Sequence, residues 1–279
     1  MDNLLIWNWI LFVVHLLLGI GLLIYFMVKD EESTPMDFAL YNIDIEYDDN
    51  LDGNVTANKS LGTNKKTIQY MIIAFFLVTA FFHLLYATNG FGTGLYLNAI
   101  KNNNNYFRWM EYAISATIMI VIINLISGVK SLDANILSAI SAMMVMLQGN
   151  SVEVSLKQKH YSGSKKKPNR DYIIPTVTGW VLLTGIFAII IKNFFQRISE
   201  VKDAGFNIPS WIPGVIFPTI LWYVSFGIVQ LVQISKGGDY RKYEYTYLIL
   251  SLLSKAFLGI YLAFGLTQRE DTEDTEETF

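Results

Sequence analysis

Seven long apolar runs divide the chain, at about 4–28, 67–89, 106–127, 132–155, 172–197, 209–235 and 243–267. Each is long enough to cross a hydrocarbon core of ~30 Å as a helix. The fourth is the least apolar, with Ser138, Ser141, Gln148 and Asn150 inside it, and still reads as a span. The pattern predicts an all-α membrane protein: a seven-transmembrane helix bundle within residues 1–267 and an acidic, disordered tail at 268–279. An odd number of crossings sets the termini on opposite sides of the membrane.

The polar stretch after the first run, Lys29 to Lys66, has a period of its own. Tyr41-Asn42-Ile43-Asp44-Ile45-Glu46-Tyr47-Asp48 alternates apolar and polar residues, the signature of a half-buried strand. Asp52-Gly53 supplies a turn, and Val55 and Ala57 alternate weakly beyond it. We expect an extramembrane β-hairpin in the 29–66 loop, packed on the bundle or on a second subunit. A solvated acidic loop is the plainer alternative.

Composition agrees with a membrane protein: 52% of residues are hydrophobic and only 16% charged. The absence of cysteine excludes thiol chemistry, disulfides and cysteine-based metal sites, and three histidines make a histidine-rich metal site a poor expectation. No metal, enzymatic activity or nucleic-acid partner is expected. The first run is too long for a signal peptide and reads as retained.

Lysine and arginine nearly tie across the two sides, so their density decides orientation. Lys157, Lys159, Lys165, Lys166, Lys167 and Arg170 crowd the short loop after the fourth run, which marks that loop as cytoplasmic. The N-terminus is then cytoplasmic and the C-terminus extracellular. Both Asn-x-Ser/Thr sequons, at Asn54 and Asn58, fall in the outer loop, where glycans are permitted.

Few ionisable groups interrupt the runs. Lys255 stands near the middle of the seventh, where a free ammonium costs about 3 kcal/mol on insertion scales. It must be paired, neutral, or no longer a free amine. Glu111 lies one turn inside the third run, entering from the same side as the seventh. Arg108 precedes it by one turn and Ser115 follows it by one turn, while Ser251 precedes Lys255 by one turn. A carboxylate, two hydroxyls and an arginine thus converge on one lysine nitrogen. A structural ion pair of Lys255 with Glu111, holding two helices together, is the plainer alternative. Glu153 reads as a second acid or as a helix-end salt bridge to the basic loop, which suits its position better. His15 and His83, taken alone, read as hydrogen-bonded interior residues.

These residues resemble the microbial rhodopsins. The inverted orientation, the large loop after the first helix, Arg108-Trp109-Met110-Glu111-Tyr112, Ser251, and His15 with His83 resemble the heliorhodopsin branch, over residues 4–267. The resemblance implies all-trans retinal bound to Lys255 as a protonated Schiff base, with Glu111 as counterion and Ser251 and Ser115 hydrogen-bonded around the pair. It implies that Tyr112 and the Phe217-Pro218 pair lie at the chromophore. The tryptophan usual one turn beyond that pair is replaced by Leu221, with Trp222 following. His15, His83, Thr79 and Arg108 would line a polar cavity that takes up the Schiff-base proton, and the hairpin would serve a homodimer.

A proton pump of this superfamily needs a second acid, yet the positions seven and eleven beyond Glu111 are Ile118 and Ile122, and the position one turn before Lys255 is Ser251. The expected function is therefore light sensing through an unidentified cytoplasmic signalling partner. A light-gated proton or cation channel is the alternative, with the polar positions of the fourth run as its hook. A retinal-free transporter or receptor is a third class.

Overall fold

The computed structural model describes residues 1–29, 37–38, 41–47, 54–60, 63–157, 170–203, 205 and 208–267, giving backbone alone up to 63 in the segment between the first two long helices. Seven long helices form the bundle: α1 (Asn3–Lys29), α2 (Lys65–Ala87), α4 (Tyr106–Ile126), α5 (Leu132–Leu156), α6 (Ile173–Asp203), α7 (Trp211–Lys236) and α8 (Tyr240–Leu266). All seven are long and apolar enough to cross a membrane. The short helix α3 (Leu95–Lys101) has no counterpart among the apolar runs.

Between α1 and α2, β2 (Tyr41–Tyr47) pairs antiparallel with β3 (Asn54–Ser60), Ile43 opposite Asn58, and β1 (Asp37–Phe38) pairs with β4 (Thr63–Asn64). The expected turn at Asp52-Gly53, most of the basic loop and the acidic tail lie outside the described residues.

Local sequence sets the helix ends. Asn64, Asn105, Ser131 and Asp239 each cap a helix N-terminus with a side-chain oxygen accepting from a first-turn N–H, at 3.1, 3.4, 3.3 and 3.0 Å. Before α3, the Thr88–Gly94 turn needs left-handed backbone, and Gly90 has φ +69° where a Cβ would crowd Leu95. The turn is tied down by Leu97 N–H donating to Asn89 Oδ1 at 2.9 Å. Two helices differ from the apolar runs. α6 continues to Asp203 through a polar turn in which Glu200 bridges Lys130 and Arg197, both at 3.2 Å. α8 starts at Tyr240, three residues before the apolar run, which sets Glu244 in its second turn.

Helix association in lipid rests on close contact rather than on expulsion of water. Here glycines receive aromatic rings from neighbouring helices: a Cβ at Gly149 would run into Trp109, one at Gly259 into Phe76, and one at Gly227 into Trp180. α1 shows the same economy, burying a single stripe of Leu4, Asn8, Leu11, His15, Gly19, Leu22 and Phe26. Trp7, Leu17 and Ile24 on its other faces are exposed, as suits lipid contact. That stripe places two polar side chains, Asn8 and His15, against the interior.

Candidate functional site

Lys255 is buried on α8, and its side chain leans back toward the helix N-terminus, as helical geometry favours. Its Nζ donates to Ser251 Oγ at 2.7 Å and to Glu111 Oε1 on α4 at 3.1 Å. Glu111 is 2% exposed, so the pair sits in low dielectric, where each charge is tolerable because of the other. Lys255 Nζ also stands 5.0 Å from the Tyr112 ring centroid, a cation–π distance. Ser115 is fully buried nearby, but its Oγ has no hydrogen-bond partner among the described residues, so it is not bonded to the pair.

Lys255 forms part of the wall of a cavity lined by α4, α5, α6, α7 and α8. Trp109, Tyr112, Trp180, Trp222, Tyr223 and Phe226 give it an aromatic lining. A long apolar polyene with one reactive end fits such a space, which has a buried amine at its wall and little polar surface elsewhere. The expected Phe217-Pro218 pair does not line it. Phe217 is 41% exposed and packs on Phe194 of α6 at 5.7 Å, while Pro218 is half-buried inside α7. The helical phase decides this: Trp222, Tyr223 and Phe226 occupy the inward face, and Phe217 points outward.

On the other side of Lys255, the His15 and His83 rings stack at 5.0 Å, both buried. His15 Nδ1 is 2.8 Å from Leu11 O, and His83 Nδ1 is 2.8 Å from Asn8 Oδ1. Thr79 lies one turn before His83 and is fully buried. Five polar atoms of this region, His15 Nε2, His83 Nε2, Thr79 Oγ1, Tyr86 OH and Ser115 Oγ, are buried without a partner among the described residues. Buried polar atoms of this kind call for water.

Arg108 does not join this group, contrary to expectation. Its guanidinium is clamped between Glu153 of α5, at 2.6 Å, and Glu244 of α8. Trp109 Nε1 donates to Glu153 at 2.8 Å, and Asn105 Nδ2 donates to Glu244 at 2.7 Å. Glu153 is thus paired with Arg108, and most of the basic loop to which a helix-end salt bridge was expected lies outside the described residues. The guanidinium also lies 4.2 Å from the Tyr247 ring centroid. Glu244 and Asn8 are the residues that sequence reasoning missed. An acid inside a predicted span was a usable signal for Glu244, obscured by the polar residues around it.

A family model for heliorhodopsins matches residues 4–266. No curated protein matches. Among solved structures, the chain is similar to the crystal structure of Exiguobacterium sibiricum rhodopsin, with a TM-score of 0.60 at 12% identity, over 93% of this chain and 96% of that one. At that identity the likeness speaks for the fold, a rhodopsin-like bundle. The family match covers nearly the whole chain and includes all seven long helices. The chain belongs to the heliorhodopsin family, and with it to the retinal photoreceptor proteins of membranes.

Proposed function

We propose that the protein is a light sensor in which Lys255 carries all-trans retinal as a protonated Schiff base, with Glu111 as its single counterion. The observation that carries this reading is the buried contact of Lys255 Nζ with Glu111 at 3.1 Å, at the wall of an aromatic cavity. Retinal, when bound, supplies light absorption and isomerisation. The protein's own groups hold the proton at Lys255 Nζ. Glu111 offers it an opposite charge, and Ser251 accepts a hydrogen bond beside it. Trp109, Tyr112 and Tyr223 confine the cavity and exclude water from the apolar side of the lysine.

The distribution of acids speaks against a pump. The buried carboxylates among the described residues are Glu111, Glu153 and Glu244, all in the half of the bundle nearest Met1. No buried carboxylate of the described residues stands in the other half, where a relay across the membrane needs one. A gated proton or cation conductance is the second reading. It is favoured by the Asn124 amide, Asn135 Oδ1 and Ser138 Oγ, which are buried in that other half without hydrogen-bond partners among the described residues. We place the N-terminus in the cytoplasm, from the basic loop after α5, and assign the β2–β3 pair to the extracellular side as a dimer contact. Voltage-clamped cells under light test the function: absence of photocurrent is the expected result, and a steady, voltage-dependent current supports the conductance instead.

A further inference from the structure

Polar side chains are scarce in the wall of the cavity, and they are gathered at one end. Apart from Lys255, its neighbour Ser254 and the aromatic residues, those that line it are Gln148 of α5, Thr176 of α6 and Gln230 of α7. They stand toward the ends of α5 and α7 and the start of α6, whereas Lys255 lies midway along α8. A chain anchored at Lys255 therefore leads away from α8, past Val145, Met146 and Leu183, to a rim of hydrogen-bonding groups.

Packing fixes how that rim is built. Gly149 turns its Cα to the face of Trp109, where a Cβ would collide, and its carbonyl accepts from Gln230 Nε2 at 3.0 Å. That bond ties α7 to α5 and orients the amide, because a carbonyl only accepts. Gln230 Oε1 is then left as an acceptor. Thr176 donates its hydrogen to Tyr172 O at 2.6 Å, so its Oγ1 likewise only accepts. Gln148 stands beside Gly179 of α6, where an added Cβ would touch the Gln148 stem at 3.7 Å. Its side chain is half-buried and makes no hydrogen bond among the described residues, so it offers both a donor and an acceptor.

Two acceptors and one amide are matched by a group that both donates and accepts. The ring of retinal is a hydrocarbon and does neither. We propose that the cavity selects a retinoid whose ring carries a hydroxyl, the hydroxyl donating to Gln230 Oε1 and accepting from Gln148 Nε2. The inference rests on Lys255 being the retinal lysine and concerns only the far end of the chromophore. The preference has a diagnostic sign. A hydroxyl taken from hydrated surroundings into an apolar pocket without a partner weakens binding, whereas one that meets both a donor and an acceptor strengthens it.

The test compares all-trans retinal with all-trans 3-hydroxyretinal and 4-hydroxyretinal on the full chain in lipid nanodiscs. Quenching of tryptophan fluorescence reads affinity, and the visible band reads attachment. The wild type should bind at least one hydroxyretinal more tightly than retinal. Gln148→Leu and Gln230→Leu should each lower that preference about fivefold, the worth of one net hydrogen bond. The preference is a ratio taken within each variant, so a change of fold or cavity shape common to both ligands cancels. Gln148→Leu breaks no hydrogen bond among the described residues, and it carries the test if Gln230→Leu, which cuts the tie between α7 and α5, does not fold. Equal or weaker binding of both hydroxyretinals, or a preference unchanged by these substitutions, overturns this proposal alone. A wild type that develops no visible band with any of the three overturns the Lys255 reading and this one with it.

Discussion

Arg108 forms its ion pairs with Glu244 of α8 and Glu153 of α5, and not with Glu111 three residues along its own helix. Helical side chains lean toward the helix N-terminus, so an arginine in the first turn of α4 reaches outward to the bundle end. There the last turns of α5 and the first turns of α8 present their acids. Glu111, one turn deeper, is left to Lys255 alone.

The clamp predicts a division of labour. Arg108→Ala leaves two buried carboxylates without their cation and should cost about 3–5 kcal/mol, read as a large fall in the thermal midpoint of the purified protein. Glu153→Gln should lower the midpoint without moving the absorption maximum, because Glu153 does not touch Lys255. A spectral shift in Glu153→Gln as large as that of a Glu111 variant would contradict this separation.

Glu111→Gln should shift the absorption maximum to longer wavelength, since the positive charge loses its opposite. Its visible band should also disappear at lower pH than that of the wild type, by roughly one to three pH units. An unchanged titration would remove Glu111 from the counterion role.

On α7, Trp222→Ala should change the absorption maximum, because Trp222 lines the cavity beside Lys255. Phe217→Ala should leave the spectrum in place, because that ring is 41% exposed and rests on Phe194. Spectra of the two variants with retinal distinguish the assignments; a reversed pattern would restore Phe217 to the pocket.

Asp2 ties the start of α1 to Arg241 of α8. Burial alone would push its carboxyl up, but the Leu4 N–H at 2.9 Å and the Arg241 guanidinium outweigh it and hold the group below the ordinary carboxylate range. A group depressed in the folded state stabilises above its unfolded pKa and loses that contribution as pH falls through the folded value. Both side chains are partly exposed, so the contribution is at most about 1 kcal/mol. The difference in thermal midpoint between wild type and Asp2→Asn should be small near neutrality and vanish in strong acid; a difference that grows on acidification would contradict the sign.

The seven helices and the Lys255–Glu111 pair are legible in the sequence because a charge inside an apolar run has few ways to be accommodated, and Ser251 stands at helical spacing from the lysine. Other parts depend on distance in the chain. Asn8 meets Tyr96 across 88 positions, and Tyr96 meets Glu244 across 148. Neither contact has a local pattern, and α3, with seven residues, is too short for helical periodicity to stand out. Glu244 hides among Tyr240, Arg241, Lys242 and Tyr243, where a charge looks like the solvated start of a helix. Phe217 shows the converse case, a familiar residue pair whose helical phase turns it outward.

The central claim is that Lys255 is a chromophore's anchor rather than half of a structural ion pair. Purified wild-type protein mixed with all-trans retinal should develop a visible absorption band, and Lys255→Ala under the same conditions should not. A colourless wild type, or a Lys255→Ala protein with the same band, would contradict the account.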